Sequence, residues 1–146
     1  MTFSITARCP ETGMLGVGVS TAVMCVGALV PFIRAGAGAV ATQSFVNPYL
    51  GIWGLDELAG GLTAPEVVER LAARDEGRDV RQFAVVDAQG RAAAYSGERC
   101  VGWFGHRVGD GYAVAGNMLV GEATIAEMAR AFESSRGEHL AERLVR

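Results

Sequence analysis

Lysine is absent from this 146-residue sequence. Its thirteen basic residues are all arginines, outnumbered by sixteen acidic ones, and the net charge is −3. With no basic face to neutralise phosphates, nucleic acid is not an expected partner. Without lysine, no glycine-rich stretch can act as a Walker loop, which needs that side chain at the β- and γ-phosphates. Apolar stretches all fall short of the ~20 residues that span a bilayer, so no membrane partner is expected. Met1-Thr2-Phe3-Ser4 has no basic leader segment, and the expected location is the cytoplasm. Cysteine is scarce too: Cys9, Cys25 and Cys100 show no CxxC or Cys/His ligand spacing. They read as small, mostly buried thiols, and neither a metal site nor another cofactor is expected.

Glycine, by contrast, is abundant, with twenty residues, about double the usual ~7%. The glycines are spread through strand-like text, which predicts many tight turns and close backbone approaches in a sheet-rich protein. Half of the residues are hydrophobic and a fifth are charged, the balance of a folded chain rather than a disordered one. The length suits a single domain over 1–146.

Thr2–Ala7 alternates, with Phe3, Ile5 and Ala7 on one face and Thr2, Ser4 and Thr6 on the other. That pattern predicts a half-buried strand. Cys9–Gly13 is a turn, and Leu15–Val19 returns as the second strand of a hairpin. Apolar text broken by Pro31 and Arg34 leads to a buried strand over Gly36–Gln43. Asn47–Gly51 reads as a turn before a short amphipathic stretch through Trp53, Leu55 and Leu58. Thr63-Ala64-Pro65-Glu66 fits a capping box opening a helix, and Asp75–Asp79 a charged loop. Gln82–Asp87 and Ala92–Ser96 form a second hairpin, Cys100–His106 a short edge or loop, and Gly111–Asn117 a further strand. Helices are expected at Glu122–Glu133 and Glu138–Arg146, the latter ending without a glycine cap. Strands in runs alternating with paired helices favour a layered α+β domain over a parallel βαβ sheet.

Thr2 is the most informative residue for chemistry. Removal of Met1 would expose a threonine carrying both a hydroxyl and a free α-amine. An amine titrating near 8 is partly neutral at physiological pH and can deprotonate its own hydroxyl without a histidine base. Asn117, beside Gly116 at a strand end, is a candidate donor to a developing oxyanion. His106 follows Gly105 in a similar position. Ser20, Thr21, Thr42 and Gln43 also end strands, where they either line a polar pocket or satisfy backbone groups. Arg34, in apolar text, either holds an anionic substrate or sits in a structural ion pair. Cys25 paired with His106 is a competing nucleophile that no local signature supports.

Thr2-Phe3-Ser4-Ile5, Pro10-Glu11-Thr12-Gly13, Gly36 to Gln43, Gly105-His106 and Gly116-Asn117-Met118 occur together in this order. The set resembles DUF1028, a bacterial and archaeal family placed in the Ntn-hydrolase superfamily, over Thr2 to about Phe132. The resemblance implies an αββα sandwich, two stacked antiparallel sheets covered by helices. It also implies amide hydrolysis by an N-terminal nucleophile, which carries onto Thr2 once Met1 is removed. Some relatives add a peptidoglycan-binding domain, which points to cell-wall peptides; no such domain is read here. Many members have a Ser-Lys pair where Thr21-Ala22 stands in this chain. Members also usually continue for several dozen residues past the position of Arg146. The sandwich is therefore expected to lack its C-terminal strands in this chain. Open strand edges would then favour a homo-oligomer or a completing C-terminal segment.

The expected function is an amidohydrolase acting on a small amide or peptide, with Thr2 and Asn117 as catalytic residues. Ser20, Thr21, Arg34, Thr42, Gln43, Asn47 and His106 are expected to line the substrate site. A non-catalytic ligand-binding or assembly module with the same fold is the alternative.

Overall fold

Gly13, at φ 72°, closes the turn that folds the first strand back on itself. β1 (Thr2–Arg8) and β2 (Leu15–Thr21) then pair antiparallel, from Arg8 opposite Leu15 to Thr2 opposite Thr21. The computed structural model describes all residues, 1–146. After β2 come β3 (Pro31–Arg34), β4 (Gly38–Ser44), α1 (Pro48–Ala59) and α2 (Ala64–Arg74). β5 (Arg81–Asp87), β6 (Ala92–Ser96), β7 (Trp103–Gly109), β8 (Tyr112–Leu119), α3 (Ala123–Ser134) and α4 (Leu140–Leu144) complete the order.

The strands form two antiparallel four-stranded sheets, ordered β2-β1-β8-β7 and β3-β4-β5-β6. The sheets lie face to face, β1 against β4, β8 against β5 and β7 against β6. α1 and α2 cover the outer face of the second sheet, α3 and α4 that of the first. A mixed α+β domain was expected, and its layers run helices, sheet, sheet, helices.

Each outer face carries a hydrophobic core. Under α3 and α4, Ile5, Ala7, Tyr112 and Val114 pack with Ile125, Phe132 and Leu140. Under α1 and α2, Val40, Phe83 and Val85 pack with Leu50, Val67 and Leu71. The layer between the sheets is different, built of small side chains: Ala39, Ala41, Ala84, Ala113 and Ala115 are all essentially inaccessible. Ser4 and Thr6 belong to this layer, so β1 is buried on both faces and not on one. Alternation of apolar and polar residues usually marks a solvated face. Here the polar face is small enough to fit between stacked sheets.

Three further local expectations change. Pro31–Arg34 forms edge strand β3 rather than a break, since proline is tolerated at the first position of an edge strand. The Asn47–Gly51 turn is the first turn of α1: Asn47 accepts from the Tyr49 N–H, and Pro48 follows at the first helical position. Cys100–His106 leads into a full strand, β7, with a bulge between Trp103 and Gly105. The α2 capping box forms as expected, Thr63 and Glu66 each accepting from the other's backbone. Cys9 and Cys100 are buried, but Cys25 is exposed, and all three are free thiols. No helix is long and apolar enough to cross a membrane.

Candidate functional site

Strand register brings three polar residues side by side at one end of the first sheet. Thr2 on β1 lies between Thr21 on β2 and Asn117 on β8. Paired residues share a face, so all three join the inter-sheet layer with Ser4 and Thr6. The Thr2 and Thr21 hydroxyl oxygens are 2.8 Å apart.

Across the layer stands Gln82 on β5, opposite Gln43 on β4 and Ser96 on β6. Its Nε2 donates to the carbonyls of Gly116 (2.9 Å) and Gly105 (3.1 Å) and lies 2.8 Å from Ser96 Oγ. Carbonyl oxygens only accept, so this end of the amide must be the nitrogen. Its Oε1 is thereby turned to Gln43 Nε2 at 2.8 Å and Asn117 Nδ2 at 3.1 Å. The same logic fixes the other two amides and leaves Asn117 Oδ1 and Gln43 Oε1 as buried acceptors with no partner. An orphaned buried acceptor costs about 1–3 kcal/mol, so the network carries unrelieved polar strain at these two oxygens.

His106, exposed on β7, reaches the network through Ser96, whose Oγ lies 2.9 Å from Nδ1. Partial desolvation of the ring lowers its pKa below the ordinary histidine value and favours the neutral form. Either Ser96 or the ring donates across this contact, according to the tautomer of His106. Ser44 and Met118, one residue beyond Gln43 and Asn117, have φ of 69° and 55°. For non-glycine residues these are strained values, of the kind that gathers at functional sites.

Of the residues expected at the site, Thr2, Thr21, Gln43, Asn117 and His106 come together here. The others do not. Ser20 pairs with Phe3 on the opposite face and lines a groove of about 670 Å³ beneath α3 and α4. Thr42 also points away, donating to the Asn47 carbonyl at 3.4 Å, while the Asn47 side chain caps α1. Arg34 stands opposite Gly38, four residues along β4 from Thr42, or about 13 Å at strand rise. It pairs with Asp56 at 2.9 Å, the ion-pair alternative. Cys25 lies in the turn after β2 and makes no hydrogen bond to His106. Gln82 and Ser96 were missed. The second hairpin already set them opposite each other, and a glutamine alternating with Ala84 and Val86 in apolar text was the available signal.

Fold and site together define a two-sheet α+β protein whose inter-sheet layer ends in a network of amides and hydroxyls. The chain belongs to DUF1028, a family of unknown function whose model matches residues 2–146. The crystal structure of a member, protein SPO2555 from Silicibacter pomeroyi, is similar at a TM-score of 0.92 and 32% identity. The match covers 98% of this chain and 66% of that one, so this chain spans about two thirds of the relative's length. No curated protein matches the chain.

Proposed function

We propose that this chain is an amide hydrolase of the Ntn type, with an Ntn-hydrolase-like αββα sandwich and Thr2 as the nucleophile once Met1 is removed. The observation that carries the reading is the Thr2 hydroxyl, 2.8 Å from the Thr21 hydroxyl and in register with Asn117. Met1 is 59% exposed, within reach of an aminopeptidase that accepts a small following residue. Arg8 N–H donates to the Gly111 carbonyl. The ladder alternates with a period of two, so the Thr2 nitrogen also faces β8, beside Asn117.

The freed amine takes the hydroxyl proton as Oγ1 attacks the substrate carbonyl carbon. Asn117 Nδ2 has one hydrogen bonded to Gln82, and its second is available to the developing oxyanion. The C–N bond then breaks and the leaving amine takes the proton from the Thr2 ammonium. Water adds to the resulting ester, releasing the acid and restoring Thr2. The unprocessed chain favours a second reading, a binding module, because there the Thr2 nitrogen is an amide and no base.

Intact-mass measurement on the purified protein, followed by a panel of small amides and peptides, tests the proposal. We expect a mass lower by one methionine, and Thr2→Ala to reduce turnover by about 10³-fold or more with an unchanged melting curve. A retained Met1, or full activity in Thr2→Ala, refutes it in favour of the binding module.

A further inference from the structure

At the end of the first sheet remote from Thr2, three guanidinium groups converge on one small cleft. Arg8 ends β1, Arg136 lies in the α3–α4 connection and Arg143 is on α4; together they line a cavity of about 70 Å³. Six residues of strand separate Arg8 from Thr2, roughly 20 Å, so this is a separate place from the proposed active site.

The charges here are poorly matched. Arg143 is 93% buried, from a relative exposure of 7%, yet forms no salt bridge. It has a structural task, since its Nη2 donates to the Phe132 carbonyl at 3.0 Å and its guanidinium lies 3.9 Å from that ring's centroid. Its Nε is nevertheless buried without a partner, and so is the Nε of Arg8. Two carboxylates share the cleft. Glu11 accepts from the Cys9 thiol at 3.1 Å, and Asp110 meets Arg136 at 3.7 Å, both side chains exposed. Three positive charges thus face two negative ones, and Glu11 interacts with the Arg143 and Arg136 charges without forming a salt bridge to either. The positive charge outweighs the negative by one, and a guanidinium fork is shaped for oxyanions.

From the cavity, the three arginines that line it and the charge excess, we infer that the cleft binds a small oxyanion, the phosphoryl or carboxylate group of a ligand. Arg8 borders it from the end of β1 and Arg143 from α4, and Arg136 closes over it from the exposed side. The cavity is larger than a packing gap and has room for a few waters or one such group. The site needs neither Met1 removal nor catalysis.

Inorganic phosphate and acetate are the probes, titrated against chloride at constant ionic strength, with thermal melting and calorimetry as readouts. At a phosphate or acetate concentration roughly twentyfold above Kd, Tm rises by about 6 °C. The anion that gives the larger shift identifies the group the cleft prefers. Arg8→Gln and Arg136→Gln each weaken that affinity roughly tenfold, while Arg143 is left intact because it holds α3. Arg136 is exposed and keeps the test open if Arg8→Gln does not fold. The inference is overturned if neither anion differs from chloride, or if the folded variants bind as tightly as the parent.

Discussion

One amide, that of Gln82, lies within hydrogen-bond distance of five groups: Gln43 and Asn117 at its oxygen, and Ser96, Gly105 and Gly116 sharing the two hydrogens of its nitrogen. It therefore ties β5 to β4 and β6 within one sheet and to β7 and β8 in the other. Gln82→Leu would take a donor from the Gly105 and Gly116 carbonyls and leave the Gln43 and Asn117 amides without their partner in a closely packed layer. A loss of about 3 kcal/mol of unfolding free energy in urea is expected, larger than for an ordinary hydrogen bond. The same variant frees the Asn117 amide to rotate, so any Thr2-dependent turnover falls with it. His106 and Asn117, read as strand-end residues, lie inside β7 and β8, and of the network's members Thr2 was legible as a polar residue opening a strand. Gln82 was not, because its meaning depends on which strand of the other sheet lies across from it.

Among the elements, packing on the outer faces is conventional, and Tyr112 shows how it is fastened. Its ring sits on β8 against Phe132, and its hydroxyl donates to Glu133 on α3. Burial first, then the hydrogen bond to that carboxylate, pushes its pKa up from 10 to about 12. Below pH 10 the tyrosine is protonated in both the folded and unfolded states and has no effect on the pH dependence. Between pH 10 and about 12 the unfolded chain loses this proton while the folded one keeps it, so stability falls as pH rises. Denaturant melts across that window should show the fall in the parent and a flatter profile in Tyr112→Phe. The helices and hairpins of these layers were largely readable from periodicity and caps, as α2 and the β5–β6 pair show. β3 was not, because four residues opening with proline carry too little pattern, and α1 lost its first turn to the ambiguity of Asn-Pro. Both features start helices or edges as readily as turns.

For the whole molecule, the decisive feature is the thin layer between the sheets. Its alanines, with Ser4 and Thr6, let two sheets approach without large side chains interdigitating, and the Ser4 and Thr6 hydroxyls are buried there unpartnered. Nothing in a strand's own alternation distinguishes a small polar face turned to water from one turned to a second sheet, and so β1 was read as half-buried. The layer also sets the spacing on which the Asn117–Gln82 contact depends, since one partner comes from each sheet. Ala115, fully enclosed two residues before Asn117, is the place to test this. Ala115→Leu must either displace β5 or force β8 outward against α3, and overpacking of this kind costs about 1–3 kcal/mol. Urea unfolding should report that loss. Turnover or ligand binding at the Thr2 end should fall further than the stability loss alone explains, because the amide of Asn117 is carried away from its anchor. The arginine cleft is built from β1, the turns of the same sheet and the two helices on it. It should keep its phosphate or acetate response in the same variant, and a parallel loss at both ends would show instead that the sheets move as one body.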